Sequence, residues 1–281
     1  MKRSSFVSLE EKEHIYETQN GDILRSTTTI IKSKFTEFDA DSVICGMMKR
    51  SNWNRSKYYG MTANEIKLQW KTHNEEASLL GTKMHAIIEE YLLKLNPKDF
   101  QCNGINEKYV PYNPEEECVI QHIVSKGTDL ERFTEWWSGF ILHLNSSTFA
   151  RDGYVIAPEY LLYSMEYNIA GTIDLVIINP HGETILLDWK RSKEIVLENG
   201  YRKGKGVFSC YDDCNYYHYS IQLNTYRKLL ELITVEVNGV ITQPKVVQMC
   251  LVVLPPEVPD TVDVYPVKFM NEWTLEDLCG I

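Results

Sequence analysis

The chain has 281 residues, a formal net charge of -10, 43% hydrophobic residues and 24% charged residues. This length suits a single domain, and no segment approaches the about 20 consecutive apolar residues that a transmembrane helix needs. Non-specific coating of nucleic acid depends on many basic residues that displace counterions. The negative charge therefore argues against that role and confines any DNA contact to a local surface.

The N-terminal residues and the cysteines indicate the compartment. The sequence begins MKRSSFVSLEEKEH, which lacks the apolar run of a signal peptide. Its seven cysteines are scattered without a paired framework, which favours a reducing environment. We therefore expect an intracellular protein, in the cytoplasm or nucleus or in the host cell if the chain is viral, and not a secreted one.

Helical periodicity dominates the N-terminal half. Apolar residues recur at helical spacing from residue 75 to about residue 95, which predicts one long amphipathic helix. A second helical stretch is predicted to open at Asn113, where Asn-Pro-Glu-Glu supplies a cap, a first-turn proline and acids at the positive end of the dipole. It is expected to continue to about Leu144, with a break near Gly127.

Strand patterns dominate the C-terminal half. Runs of β-branched and aromatic residues predict strands at 155–163, 167–178 and 183–190, followed by a helix at 220–232, a hairpin at 235–241 and a strand at 245–254. This order predicts an α/β fold with a mixed central sheet flanked by helices. We expect a single domain over residues 1–281, with a mainly helical lobe at 1–150 and the sheet core at 151–281.

The second and third predicted strands carry the most informative polar residues. If their turn is centred on His181, Asp174 and Asp188 lie opposite each other with Cβ atoms about 5 Å apart, and Lys190 points to the same face. Two facing acids repel, so a bound divalent cation is their natural partner. A register shift of one residue would separate the aspartates, and a surface hairpin with solvated acids is the alternative interpretation.

Two further pairs are spaced one helical turn apart. His85 and Glu89 share a face of the first long helix, where the histidine can ligate a metal, although a histidine among Met, Ile and Leu also suits a core position. Gln222 and Tyr226 can present an amide and a phenol to a phosphate or a base.

Basic residues cluster beside aromatic ones in two places. Both clusters are candidate phosphate-binding surfaces, and solvated surface loops explain them equally well. The first cluster contains Arg50, Trp53, Arg55, Lys57 and Tyr58, and the second contains Arg191, Lys193 and Arg202.

Four short elements occur in a characteristic order. They are Gly81-x-x-x-His85, Gly171-x-x-Asp174, Asp188-x-Lys190 and Gln222-x-x-x-Tyr226. In this order they resemble the RecB-like branch of the PD-(D/E)XK nuclease superfamily, and their joint occurrence is far more specific than any one of them. The stretch from Ser26 to Ile31, followed by Trp70, is also similar to the mitochondrial genome maintenance exonuclease group.

The resemblance implies a restriction-endonuclease-like core that binds Mg²⁺ or Mn²⁺. The implied metal ligands are His85, Asp174, Asp188 and the Trp189 carbonyl, and the possible additional acids are Glu89 and Glu159. Lys190 would orient or activate the attacking water, while Gln222 and Tyr226 would support the scissile phosphate or the lysine. These roles suit phosphodiester hydrolysis, which needs a nucleophile at neutral pH and neutralisation of charge on the phosphate.

Some members of the family carry an iron–sulfur cluster, with one cysteine before the histidine helix and three close together after Q-x-x-x-Y. Here Cys45 precedes the helix, but only Cys250 and Cys279 follow Tyr226. Four converging thiolates are needed, so the sequence disfavours a [4Fe–4S] cluster.

The expected activity is a DNA nuclease acting in repair, recombination or replication. An exonuclease that prefers single-stranded DNA suits the negative charge, because a narrow channel can combine a few cations with base stacking. The alternatives are a structure-specific endonuclease of the same fold and a non-catalytic nucleic-acid-binding protein. We expect no membrane association.

Overall fold

A mixed sheet of nine strands forms the centre of the fold, in a computed structural model that describes residues 6–10, 15–95, 121–258 and 260–281. Its strands are β1 (Val7–Glu10), β2 (Ile15–Thr18), β3 (Ile23–Ser26), β4 (Gln121–Val124), β5 (Val155–Ser164), β6 (Ile169–Ile178), β7 (Glu183–Lys190), β10 (Lys245–Val253) and β11 (Thr261–Pro266). A separate hairpin consists of β8 (Val235–Val237) and β9 (Val240–Thr242). The helices are α1 (Thr27–Ser33), α2 (Ala40–Met48), α3 (Ala63–Leu93), α4 (Asp129–Ser146), α5 (Asn215–Leu230) and α6 (Leu275–Cys279).

The strand order is β1-β2-β3-β6-β7-β10-β11-β4, with β5 paired along the other edge of β6. β10 runs parallel to β7 and β3 runs parallel to β6, whereas the other pairs are antiparallel. The mixed sheet and the order of helices and strands confirm the α/β fold predicted from the sequence. The predicted hairpin at 235–241 and the predicted strands of the C-terminal half are also confirmed.

The two faces of the sheet are covered by different helices. On one face Val176 and Leu186 pack with Ile221 and Leu223 of α5. On the other face Leu175 and Leu187 pack in a cluster with Trp137 of α4 and with Met84 and Ile88 of α3. Alternating residues of the central strands therefore enter two separate apolar cores, as expected for a sheet buried on both sides.

One edge of β6 is shared by two strands. β3 pairs with β6 at Ile169 and Ala170, and β7 pairs with it from Leu175 to Ile178. β5 occupies the whole opposite edge. In the described part of the chain, the registered pairs thus leave residues 171–174 of β6 without a neighbouring strand on the β3/β7 edge. This interval contains the Gly171-x-x-Asp174 element.

The predicted start of the second helix, at Asn113, is wrong. Residues 113–120 lie outside the described ranges, but Gln121–Val124 forms a strand that pairs with β11, so the helix is not continuous from Asn113. α4 begins at Asp129 because the side chains of Thr128 and Glu131 form a reciprocal capping box. Gly127 precedes this cap with a φ of 116°, so the predicted break lies at the beginning of the helix.

Helix α3 is longer and more exposed than its periodicity predicted. Thr62 and Glu65 form a capping box, and the helix begins at Ala63, 12 residues before the predicted start at residue 75. Met84, Ile88 and Leu92 are buried, whereas all residues from 71 to 80 are exposed. The helix therefore packs against the rest of the protein near its two ends and is exposed to solvent between them. Among the described residues, no helix is long and apolar enough to span a bilayer.

Candidate active site

Asp174 and Asp188 lie where the β6–β7 ladder ends. The pairs from Ile178 with Thr184 to Leu175 with Leu187 are centred on residue 181, which is the predicted register. The strands separate at the next position, and Asp174 Oδ2 accepts a hydrogen bond from the Trp189 backbone N–H at 2.8 Å. The Asp174 carboxylate thus takes the place of the backbone carbonyl that would accept this hydrogen bond if the strands were still paired. Its other oxygen, Oδ1, faces His85.

Glu159 enters the same site from β5. Its neighbours Pro158 and Tyr160 pair in register with Leu175 and Ile173, so Glu159 stands opposite Asp174. The backbone of Glu159 has a φ of 45°, a left-handed conformation that is unfavourable for a residue with a Cβ. Such strain inside a strand is found mainly where the surrounding structure enforces it for function.

His85 of α3 completes a group of three potential ligands. Its Nδ1 atom lies 3.6 Å from Glu159 Oε1 and 3.6 Å from Asp174 Oδ1. One ligand atom from each of the three residues lies within 4.8 Å of the others. The long helix α3 therefore carries a histidine to the point where β5 and β6 present their acids.

Lys190 and Asp188 form an adjacent ion pair. Lys190 Nζ lies 2.7 Å from Asp188 Oδ2, and the lysine side chain is only 17% exposed. The ammonium also lies 4.8 Å from the ring centre of Tyr219 on α5. Asp188 thus pairs with the lysine and lies beside the group formed by His85, Glu159 and Asp174.

Burial and neighbouring charges shift the pKa values of His85, Asp174, Asp188 and Lys190. Burial raises the pKa of Asp174, against the attraction of His85, and raises that of Asp188 to about 6, against the attraction of Lys190. Burial would lower the pKa of His85, but Asp174 and Glu159 raise it to about 8. For Lys190, Asp188 and Asp174 outweigh burial and raise the pKa above its usual value. The site thus concentrates negative charge that its own two cations only partly neutralise.

The residues present fit a divalent cation. Glu159 Oε1 is a buried carboxylate oxygen to which no described residue donates a hydrogen bond, and His85 Nδ1 lies 3.6 Å away in a longer charge contact. A bound cation would supply the close contact that this buried oxygen lacks. Carboxylate oxygens with one imidazole nitrogen suit Mg²⁺ or Mn²⁺. Compared with the ligand set implied by the sequence, the structure places Glu159 at the centre and Asp188 beside the lysine.

Two other residues of the expected set are placed as follows. The Trp189 backbone contributes its N–H to Asp174, and the Trp189 ring is buried in the core cluster on the α4 face. Glu89 lies one turn beyond His85 on α3, is half-buried and stands outside the group of three ligands.

Gln222 and Tyr226 contact each other. Gln222 Nε2 donates a hydrogen bond to the Tyr226 hydroxyl at 3.1 Å. Tyr226 is 2% exposed and fills the space beside Gly171, where an added Cβ would lie 2.5 Å from Tyr226 Cε1. Gln222 and Tyr226 of α5 therefore pack against the unpaired edge of β6 at residues 171–174, close to the carboxylates.

The first basic cluster lies in the turn between α2 and α3. Arg50, Arg55 and Lys57 are exposed, whereas Trp53 and Tyr58 are half-buried. Lys57 Nζ lies 5.0 Å from the ring centre of Tyr58. This cluster combines exposed cations with aromatic rings at the far end of α3 from His85.

The cations of the second cluster have acidic partners on the protein. Arg191 pairs with Asp129 at 2.9 Å, Lys193 with Glu257 at 2.6 Å and Arg202 with Asp213 at 3.0 Å. Each partner carboxylate competes with a phosphate for its cation. The second cluster is therefore less available to nucleic acid than the first.

Two tyrosines at the site lie outside the set of site residues predicted from the sequence. The predicted helix at 220–232 does not include Tyr219, whereas α5 begins at Asn215 and carries it. Tyr16 of β2 reaches the site from outside the matched motifs, and its hydroxyl lies 3.4 Å from Thr172 Oγ1 in the β6 gap. Helical spacing of Tyr219 with Gln222 and Tyr226 is a signal that would have found the first, and nothing in the sequence pattern marks the second.

The fold is a mixed sheet flanked by helices on both faces, and its strands carry the carboxylates and the lysine of a D-x-K element. These features define the restriction-endonuclease-like class of metal-dependent nucleases. The family model described as the PD-(D/E)XK nuclease superfamily matches residues 57–255, and the chain belongs to this superfamily. Nucleases of this superfamily use divalent metals and act on DNA. No curated protein matches the chain.

Proposed function

We propose that the chain is a divalent-metal-dependent deoxyribonuclease of the RecB-like branch, formed as one domain over residues 1–281. The observation that carries this proposal is the convergence of His85, Glu159 and Asp174 beside the Asp188–Lys190 ion pair.

His85, Glu159 and Asp174 would hold the metal, Mg²⁺ or Mn²⁺, with Asp188 adjacent. When bound, the ion supplies a nucleophile at neutral pH and neutralises charge on the phosphate. The ion pair with Asp188 stabilises the positive charge of the largely buried Lys190 ammonium. The Lys190 ammonium can donate to a phosphate oxygen or orient the attacking water, and it opposes the negative charge that develops during phosphodiester cleavage.

Alanine variants test the assignment. Asp174→Ala, Asp188→Ala and Lys190→Ala should each abolish Mg²⁺- or Mn²⁺-dependent cleavage of linear DNA while the circular dichroism spectrum stays unchanged. Asp152→Ala is the matched control, because Asp152 is a 53% exposed acid that pairs with His181 at the opposite end of the β6–β7 hairpin. Robust cleavage in EDTA, or a fully active Asp188→Ala protein, contradicts the proposal.

We further propose that the enzyme prefers single-stranded DNA and works from an end. The exposed segment 71–80 of α3 rises about 15 Å between the helix ends. One end is anchored where Trp70 donates to the Tyr58 hydroxyl at 2.8 Å, and the other carries His85. A strand passing along α3 would meet Trp53, Tyr58 and the nearby cations before it reached the carboxylates. Stacking there contributes about 1–3 kcal/mol per base without sequence preference.

Linear and circular substrates test this preference. A single strand that must be threaded from an end is degraded when linear and spared when circular, so equal cleavage of both forms refutes the exonuclease and favours an endonuclease of the same fold. Faster digestion of blunt duplex than of linear single strands refutes the single-strand preference. Binding of DNA without hydrolysis under any metal condition identifies a non-catalytic binding protein.

A further inference from the structure

Two protein groups hold the Lys190 ammonium. Lys190 Nζ lies 2.7 Å from Asp188 Oδ2 and 4.8 Å from the ring centre of Tyr219. Tyr219 is half-buried and packs against the apolar core on the α5 face of the sheet. A largely buried ammonium is therefore fixed between a carboxylate and an aromatic face, an arrangement that is favourable because the ring carries negative charge density on its face.

The motif residues of α5 are engaged elsewhere. Gln222 donates to the Tyr226 hydroxyl, and Tyr226 packs against Gly171 in the gap of β6. Tyr219 lies one helical turn before Gln222 and so shares its face of α5. The ring of Tyr219 on α5 thus contacts Lys190. The Q-x-x-x-Y motif by itself would suggest that Gln222 or Tyr226 makes this contact.

The aromatic contact does not depend on the charge of the metal ligands. A cation beside Asp188 would share the charge of that carboxylate and would repel the ammonium, so the ion pair weakens as the site fills. Lysine has a flexible four-carbon stem and is free to swing away once the pair weakens. The ring of Tyr219 keeps its attraction, because it carries no net charge to be neutralised.

We propose that Tyr219 is a positioning residue whose ring face fixes the Lys190 ammonium in the active site, an inference that rests on the proposed nuclease function. The ring, and not the hydroxyl, performs this task. Phenylalanine at this position should therefore preserve the contact, whereas leucine, of similar apolar character, should remove it.

Steady-state cleavage of linear DNA by three variants tests the turnover consequence. Tyr219→Leu should lower kcat roughly tenfold with little change in KM, whereas Tyr219→Phe should stay within about twofold of the wild type. Tyr217→Leu is the control from the same helix, since its ring packs 5.3 Å from Tyr211 and should leave kcat unchanged. A Tyr219→Leu protein with wild-type kcat, or a Phe variant as impaired as the Leu variant, overturns the inference.

Nuclear magnetic resonance of protein labelled with ¹³C at the lysine ε-carbon tests the contact without relying on activity. The Lys190 ε-protons, assigned by their loss in Lys190→Ala, should be shifted upfield by the ring in the wild type and in Tyr219→Phe, and should lose this shift in Tyr219→Leu. An unshifted signal in the wild type overturns the inference even if Tyr219→Leu fails to fold. A shifted signal in a wild type that hydrolyses no DNA refutes the proposed function and still supports the positioning of Lys190.

Discussion

The two motif glycines should respond in opposite directions to alanine. At Gly171 an added Cβ would lie 2.5 Å from Tyr226 Cε1, 2.7 Å from its hydroxyl and 2.8 Å from Thr27 Oγ1. At Gly81, inside α3, no atom of the described residues lies within 4 Å of the added atom, apart from the glycine's chain neighbours and the nearby backbone of the same helix. The first substitution therefore forces buried groups apart, whereas the second only exchanges glycine for a better helix former.

The expected magnitudes follow from these surroundings. Overpacking at Gly171 costs about 1–3 kcal/mol, and alanine recovers up to about 1 kcal/mol by restricting the unfolded chain, so Gly171→Ala should lower the free energy of unfolding by about 1–2 kcal/mol. Gly81→Ala should raise it by about 0.5–1 kcal/mol. For a chain of this size the melting temperatures should fall by roughly 2–8 °C and rise by roughly 1–4 °C, respectively.

Urea unfolding followed by circular dichroism in EDTA measures both changes without a contribution from metal. The Tyr226→Leu background provides the internal control, because removal of the ring should cancel most of the cost of Gly171→Ala in a double-mutant cycle. If Gly171→Ala is as stable as the wild type, or if its cost persists without the Tyr226 ring, the packing of α5 into the β6 gap is wrong.

Three further predictions concern the ligand group. Metal-free Glu159→Gly should be more stable than the wild type by about 1–2 kcal/mol, because glycine relieves the left-handed backbone and removes a buried carboxylate oxygen that accepts no hydrogen bond from the described residues. Asn168→Gly, at a φ of 48°, should change the stability less, and a destabilised Glu159→Gly contradicts this prediction. Mn²⁺ affinity should rise between about pH 6 and about pH 8, because a His85 with a pKa of about 8 must lose its proton to bind metal, and calorimetry that finds a flat profile refutes it. His85→Ala should bind Mn²⁺ more weakly and lose this pH dependence, and unchanged binding would return His85 to a purely structural role.

The hairpin register was predictable because it follows from local pattern. Alternating apolar residues on both sides of a turn at His181 place Asp174 and Asp188 at corresponding positions, and the observed pairs are centred on the same residue. Helix α5 was predictable for the same reason, apart from its first turn. A wrong start by five residues was enough to leave Tyr219 in a loop.

The features that depend on distant contacts were not predictable. The β6–β7 ladder ends before Asp174, and β3, which is distant in the sequence, pairs with the same edge of β6 at residues 169 and 170. The left-handed backbone of Glu159 has no counterpart in strand periodicity, although the adjacent Pro158 is a sign of irregularity within a strand. The fold was therefore accessible from sequence, whereas the position of Glu159 beside His85 and Asp174 required coordinates.

Metal-dependent cleavage of DNA at the carboxylate site is tested most directly by a Mn²⁺ titration. The titration follows metal binding and the cleavage of linear single-stranded DNA in the same sample. For the wild type, the cleavage rate should rise with Mn²⁺ occupancy and return to zero when EDTA is added. Asp174→Asn should remain folded, bind Mn²⁺ weakly and cleave no DNA. Cleavage at the wild-type rate in EDTA or in Asp174→Asn would contradict the account.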